Sequence, residues 1–173
     1  MSYGTDRSTV LDEQMLRVFG ADNDPMEDVE ARARQVFPHK SLIVWEGNPE
    51  TFAFTYVGGD AEALLGYPAR QWVEDAAFWA EYVIHPSDKD EAIAYCALAT
   101  GRRKDHVFEY RARTRGYDVV WLRDYVRVVL GSRRLPVRLR GLMVDVTAEK
   151  RLKEEFEQKA TYQLPTFAAL QAA

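Results

Sequence analysis

A single cysteine, Cys96, stands in a chain of 173 residues, so no internal disulfide and no cysteine-rich metal site can form. The three histidines, His39, His85 and His106, fall at no metal-ligand spacing, and no metal is expected. No apolar run approaches the roughly 18 residues that a membrane-crossing helix needs. The start, MSYGTDRSTVLDEQ, has neither the basic opening nor the apolar stretch of a signal peptide. A cytoplasmic chain without a membrane span is expected. Also missing are a phosphate-cradling glycine pattern, a nucleophile with a base at motif spacing, and paired carboxylates at a recognisable interval. No catalytic residue is assigned, and a non-enzymatic module is expected. The chain shows no internal repeat and no low-complexity tract.

What is present is enough apolar content, 47%, for one core of ordinary size. The net charge of −4 hides a lopsided distribution: residues 1–101 carry 7 basic and 18 acidic side chains, residues 102–140 carry 12 and 4. A basic block invites a nucleic-acid reading. Here the arginines alternate with apolar residues, as in strands, and the acidic half of the chain is available to pair with them. No nucleic-acid partner is expected.

Ser8 or Thr9 is positioned to cap a helix carrying Leu11, Met15, Val18 and Phe19, which Gly20 stops. Asp24, Pro25 and Glu27 read as the start of a second helix, with Met26, Val29, Ala33, Val36 and Phe37 as its stripe. Leu42–Glu46 and Phe52–Val57 read as a strand pair around Gly47-Asn48-Pro49, broken by Gly58-Gly59. Asp60 is placed to cap a brief helix ending at Gly66. Residues 70–82 read as short helical pieces, and Ser87 as the cap of a helix that buries Ile93, Cys96, Ala97 and Thr100. Three strands follow, 106–114, 119–130 and 137–146. In the first, Phe108, Tyr110 and Ala112 alternate with Glu109, Arg111 and Arg113. In the second, Val120, Leu122, Val126, Val128 and Leu130 alternate with Trp121, Arg123, Tyr125 and Arg127, and Asp124 is the one charge on the apolar side. The end is a charged helix capped at Thr147, with Leu152 and Phe156 as a thin seam and Pro165 expected to interrupt it. The class is α+β: a five-stranded antiparallel sheet with helices on one side, flanked by N-terminal helices and a C-terminal helix. The expected divisions are an N-terminal helical cap at 1–40, the core domain at 41–146, and the helix and tail at 147–173.

Six segments, in order, resemble the PAS family with a C-terminal PAC segment. They are the paired strands 42–57, Leu64-Leu65-Gly66-Tyr67, His85-Pro86-Ser87-Asp88, Phe108-Glu109-Tyr110-Arg111, Val120-Trp121-Leu122, and Gly141-Leu142-Met143-Val144-Asp145-Val146-Thr147. The resemblance implies a curved sheet cupping short helices around a small cavity. It further implies a sensor whose signal leaves by the helix that starts at Asp145-Val146-Thr147, toward a histidine kinase, diguanylate cyclase or other output partner. Family members bind haem, flavin, small metabolites or nothing identified, so the cofactor is left unknown. The pattern also departs from the family. The turn Arg115-Gly116-Tyr117-Asp118 replaces Lys-Asp-Gly. Cys96 lacks the neighbours of a photoactive cysteine and is assigned to the core. The helix over 88–100 has no histidine for haem, and His85 reads as a turn residue.

Asp145 and Thr147, with Glu109 and Arg111 as ion-pair candidates, are the expected relay residues. Trp45, Phe54, Trp79, Tyr82, Tyr110 and Trp121 are candidates to line a ligand cavity or to fill it. An inward Asp124 needs a partner, either one of the arginines or a ligand. A homodimer through the N-terminal helices and the helix from Thr147 is expected. Two rivals stay open: a small isomerase-like enzyme using Asp124 as its pocket acid, and a ligand-free interaction or dimerisation module.

Overall fold

Residues 11–171 are described by the computed structural model, with side chains through residue 161. Helix α1 (Glu13–Phe19) is capped by Asp12, whose carboxylate accepts the Met15 amide at 2.8 Å; the expected caps Ser8 and Thr9 lie outside the described residues. Helix α2 (Met26–Val36) follows without a side-chain cap. Asp24 does not cap it, because its carboxylate turns back to the Ala21 amide (3.2 Å) and the Arg32 guanidinium (2.9 Å).

Strands β1 (Leu42–Gly47) and β2 (Phe54–Gly59) form a hairpin. Strand β2 starts two residues later than the sequence suggests, since Phe52 is held in the turn at φ 60°, and Gly58 and Gly59 belong to the strand. Short helices α3 (Ala61–Leu65) and α4 (Ala69–Glu74) and a π-helical turn (Trp79–Val83) lead to α5 (Lys89–Gly101). Ser87 does not cap α5: its amide donates to His85 Nδ1 at 3.1 Å, and Asp88 takes the cap position without a capping hydrogen bond. Strands β3 (His106–Arg113), β4 (Val119–Leu130) and β5 (Pro136–Asp145) complete an antiparallel sheet of order β2-β1-β5-β4-β3. Helix α6 (Thr147–Gln171) continues through Pro165 rather than stopping there. A proline lacks one amide donor, but the hydrogen bonds on either side of it remain.

The sheet is buried on both faces along β1 and β5, which explains the unbroken apolar run Leu42–Trp45. Its inner face, with Ile43, Trp45, Phe108, Tyr110, Leu122 and Met143, packs against Leu65, Trp72, Phe78, Trp79 and Cys96 from the intervening helical segments. Its outer face, with Leu42, Val44, Leu142 and Val144, is covered by Met15, Val18, Phe19, Val29 and Ala33 of α1 and α2. The two N-terminal helices thus spend their apolar stripes on the chain's own sheet.

Arginines of the basic block hold that cover down. Arg140, 2% exposed, donates to the carbonyls of Ala21, Asp22 and Asp24 and pairs with Glu46 at 2.8 Å. Arg127 pairs with Asp22 at 3.1 Å, and Arg138 donates to the Asp22 carbonyl at 2.8 Å. A buried guanidinium is tolerated when it is paired, and the carbonyls of the α1–α2 corner meet its two terminal nitrogens while Nε faces the Glu46 carboxylate.

Trp45 lies opposite Gly141 in the β1–β5 register, and its indole covers that position: a Cβ at Gly141 would fall 1.9 Å from the ring. Gly141→Ala is expected to displace the indole and to destabilise the fold by about 1–3 kcal/mol. Urea unfolding with tryptophan fluorescence checks this; an unchanged midpoint and emission spectrum would show that the indole has room to move.

Candidate functional site

Two clusters flank β4, one on each face. On the inner face Asp124 is 1% exposed and receives two hydrogen bonds, from Trp45 Nε1 of β1 at 3.0 Å and from the Tyr110 hydroxyl of β3 at 2.8 Å. Trp79 Nε1, from the π-helical turn, donates to the Tyr110 oxygen at 3.1 Å. Four segments thus converge on one carboxyl group. Among the described residues no arginine reaches it, unlike the ion pair left open from sequence, because the arginines of β3 and β4 alternate onto the outer face.

Burial pushes the Asp124 carboxyl up to about 7, against the two hydrogen bonds that favour its charged form. Burial likewise raises the Tyr110 hydroxyl and the Cys96 thiol. Beside them His106 Nδ1 sits 2.9 Å from the Lys104 carbonyl and Nε2 sits 3.4 Å from Cys96 Sγ. Burial lowers the His106 imidazole and so favours its neutral form.

Trp45, Phe54, Trp79 and Asp124 line an inner cavity of about 10 Å³, roughly one water's room. Sequence reasoning missed Phe52, Cys96, Phe108, Leu139 and Met143, which line it too. Inward alternation pointed to Phe108, but no local signal marked Phe52. Tyr110 joins the cluster through its hydroxyl. Two expected lining residues lie elsewhere. Tyr82 is 41% exposed and stacks on Phe78 at 5.2 Å. Trp121 alternates onto the outer face. Among the described residues no group of three or more His, Cys, Asp or Glu could hold a metal ion.

On the outer face the root of α6 is fastened to β3 and β4. Asp145 Oδ1 accepts the Thr147 amide at 2.9 Å and also the Thr147 hydroxyl, whose oxygen accepts the Trp121 amide at 3.0 Å. The Val146 amide donates to the Trp121 carbonyl at 2.9 Å. One turn on, Lys150 pairs with Glu109 at 2.9 Å and lies 4.9 Å from the Trp121 ring centre. Glu109, 4% exposed, also pairs with Arg123 at 3.1 Å. Arg111 lies 5.8 Å from the same indole and pairs with Asp88 at 2.6 Å, tying β3 to the start of α5. Burial works to raise the Asp88 carboxyl, but the guanidinium and amide of Arg111 outweigh it and hold it low. The four expected relay residues therefore lie around one strand junction. Lys150 completes it and was missed, although it falls one helical turn after Thr147.

A family model described as PAS fold matches residues 54–143. The N-terminal domain of a diguanylate cyclase with PAS/PAC sensor from Marinobacter aquaeolei is 38% identical, over 63% of this chain and 98% of that one, with a TM-score of 0.57. A sensory box histidine kinase/response regulator from Burkholderia thailandensis E264 is 26% identical, over 78% and 98% of the two chains, with a TM-score of 0.59. No curated protein gives a significant match.

An acid whose folded pKa exceeds its unfolded one binds its proton more tightly when folded. The contribution of Asp124 is complete below about pH 4 and is lost as pH rises through about 7. From 3.8 to about 7 this amounts to about 4 kcal/mol. His106 acts oppositely, losing stability as pH falls below its ordinary value, while Tyr110 and Cys96 stay protonated in this range. Urea unfolding of wild type and Asp124→Asn across this range isolates the effect. Relative to the variant, wild type is expected to lose about 3 kcal/mol between pH 4 and 7; parallel profiles would mean that Asp124 stays ionised.

Proposed function

The chain belongs to the PAS fold family, homologous to sensory domains of histidine kinases and diguanylate cyclases, and from this premise we propose a cytoplasmic, non-catalytic sensor that signals through α6. One observation carries the reading. Strand β4 presents Asp124 to the interior and, within three residues, Trp121 and Arg123 to the root of α6. A proton or small ligand acting on Asp124 then bears on the strand that holds Thr147 and, through Glu109, Lys150. Such a relay needs an element with two arrangements. The root of α6 suits that role: polar contacts hold it only through its first turn, and residues 151–161 are all exposed.

The 10 Å³ cavity means that any ligand larger than water must displace aromatic side chains. That filled interior also favours a second reading, a ligand-free interaction module. It argues against the isomerase-like alternative: a carboxyl near pKa 7 suits proton transfer, but no space beside Asp124 admits a substrate. In the proposed arrangement residues 1–40 are a cap, 41–146 the sensor, and 147–173 the output helix. Leu152 and Phe156, 68% and 75% exposed, are its seam for a second copy or an output domain. The helices α1 and α2 are already covered by the sheet, so the dimer contact assigned to them from sequence shifts to α6.

Hydrogen exchange on the whole chain tests the relay. Asp145→Ala, Thr147→Val and Lys150→Met are each expected to raise exchange in the first turns of α6 about tenfold, with global stability nearly unchanged. Asp124→Asn is expected to alter exchange at the same amides, and Lys150→Met to abolish that response. An α6 indifferent to Asp124→Asn would leave the ligand-free module as the better reading.

A further inference from the structure

Of the twelve basic residues between 102 and 140, six are engaged by their neighbours: Arg111, Arg113, Arg123, Arg127, Arg138 and Arg140. Five of the rest gather at one end of the sheet. Arg102, Arg103 and Lys104 follow α5, and Arg133 and Arg134 sit in the β4–β5 turn. All five are exposed, and no acidic partner meets any of them among the described residues. The favourable field at a helix C-terminus accounts for the first three but not for the pair in the turn.

Each of these cationic segments is joined in sequence to a wall of one groove, within reach of a long side chain though none of the five is itself a wall residue. The groove holds about 300 Å³ and runs between the end of α5, the β4–β5 turn and the β1–β2 turn. That volume is at the small end of ligand pockets. Its walls include Pro49, Phe52, Ala97, Leu135 and Pro136, with Gly101 directly before Arg102 and Leu135 directly after Arg134. Leu135 is 51% exposed, an apolar surface left open. The groove's single lining carboxylate, Glu50, belongs to the β1–β2 turn. Backbone strain converges here as well. Four non-glycine residues of the described chain have positive φ, and three of them, Phe52, Arg103 and Arg134, sit in the three segments around this groove.

We propose that this groove binds a small amphiphilic anion, its apolar body against Phe52 and Leu135 and its carboxylate or phosphate head among Arg102, Arg103, Lys104, Arg133 and Arg134. The site is separate from the inner cavity around Asp124: Phe52 forms a wall of both spaces and stands between them, with its ring 5.7 Å from that of Trp79. A concave groove of this size suits a free molecule better than a bilayer surface. The proposal does not depend on the relay through α6.

Calorimetric titration of the whole chain with decanoate at neutral pH tests it. Decanoate is expected to bind one site, decanol at least about tenfold more weakly, and inorganic phosphate alone not measurably. Arg133→Ala/Arg134→Ala is expected to weaken decanoate about tenfold, and Glu50→Gln to strengthen it a few fold, both with wild-type unfolding curves. Asp124→Asn is expected to leave the affinity unchanged. Decanol binding as tightly as decanoate, affinity lost with Asp124→Asn but not with the arginine pair, or binding to anionic vesicles without binding to decanoate would each overturn the proposal.

Discussion

The indole of Trp45 reaches Asp124 because position 141 has no side chain. The inner architecture depends on that contact. With Gly141 beneath it, the ring lies across β5 and its N–H meets a carboxyl on β4, joining strands that are not adjacent. Tyr110 and Trp79 extend the chain of hydrogen bonds to β3 and the π-helical turn. A buried polar group is costly unless satisfied, and here its satisfaction specifies how the edge segments pack onto the centre of the sheet.

The outer face is organised by charge. The acidic N-terminal half folds back over the basic strands, and Arg127, Arg138 and Arg140 grip the α1–α2 corner. The same pairing logic gives Arg123 and Lys150 a common partner in Glu109. Strand β4 therefore has a buried hydrogen-bonded cluster behind it and an ionic cluster in front. Such a strand touches both the interior cluster and the root of the departing helix.

Much of this was legible in the sequence. Period-two alternation placed the three long strands within a residue or two and put Asp124 inside, because side-chain direction in a strand is a local property. The segments resembling the PAS family were enough for the sheet and the departing helix. Turn and cap details were less legible. Asp24 and Ser87 have the right chemistry for caps, but Arg32 claims the first, and the second stands one residue too early. Local propensity does not know what else competes for a carboxylate or an amide.

Composition and periodicity, then, determined the fold class, the succession of elements along the chain and the face that residues of the long strands take, since these follow from interactions between near neighbours in the chain. Tertiary structure alone decided the partners. Trp45 and Asp124 are 79 residues apart and Lys150 and Glu109 are far apart too, and only strand order and register bring them together. The same long-range packing filled the inner cavity to the room of one water and brought the end of α5, the β1–β2 turn and the β4–β5 turn together around a groove.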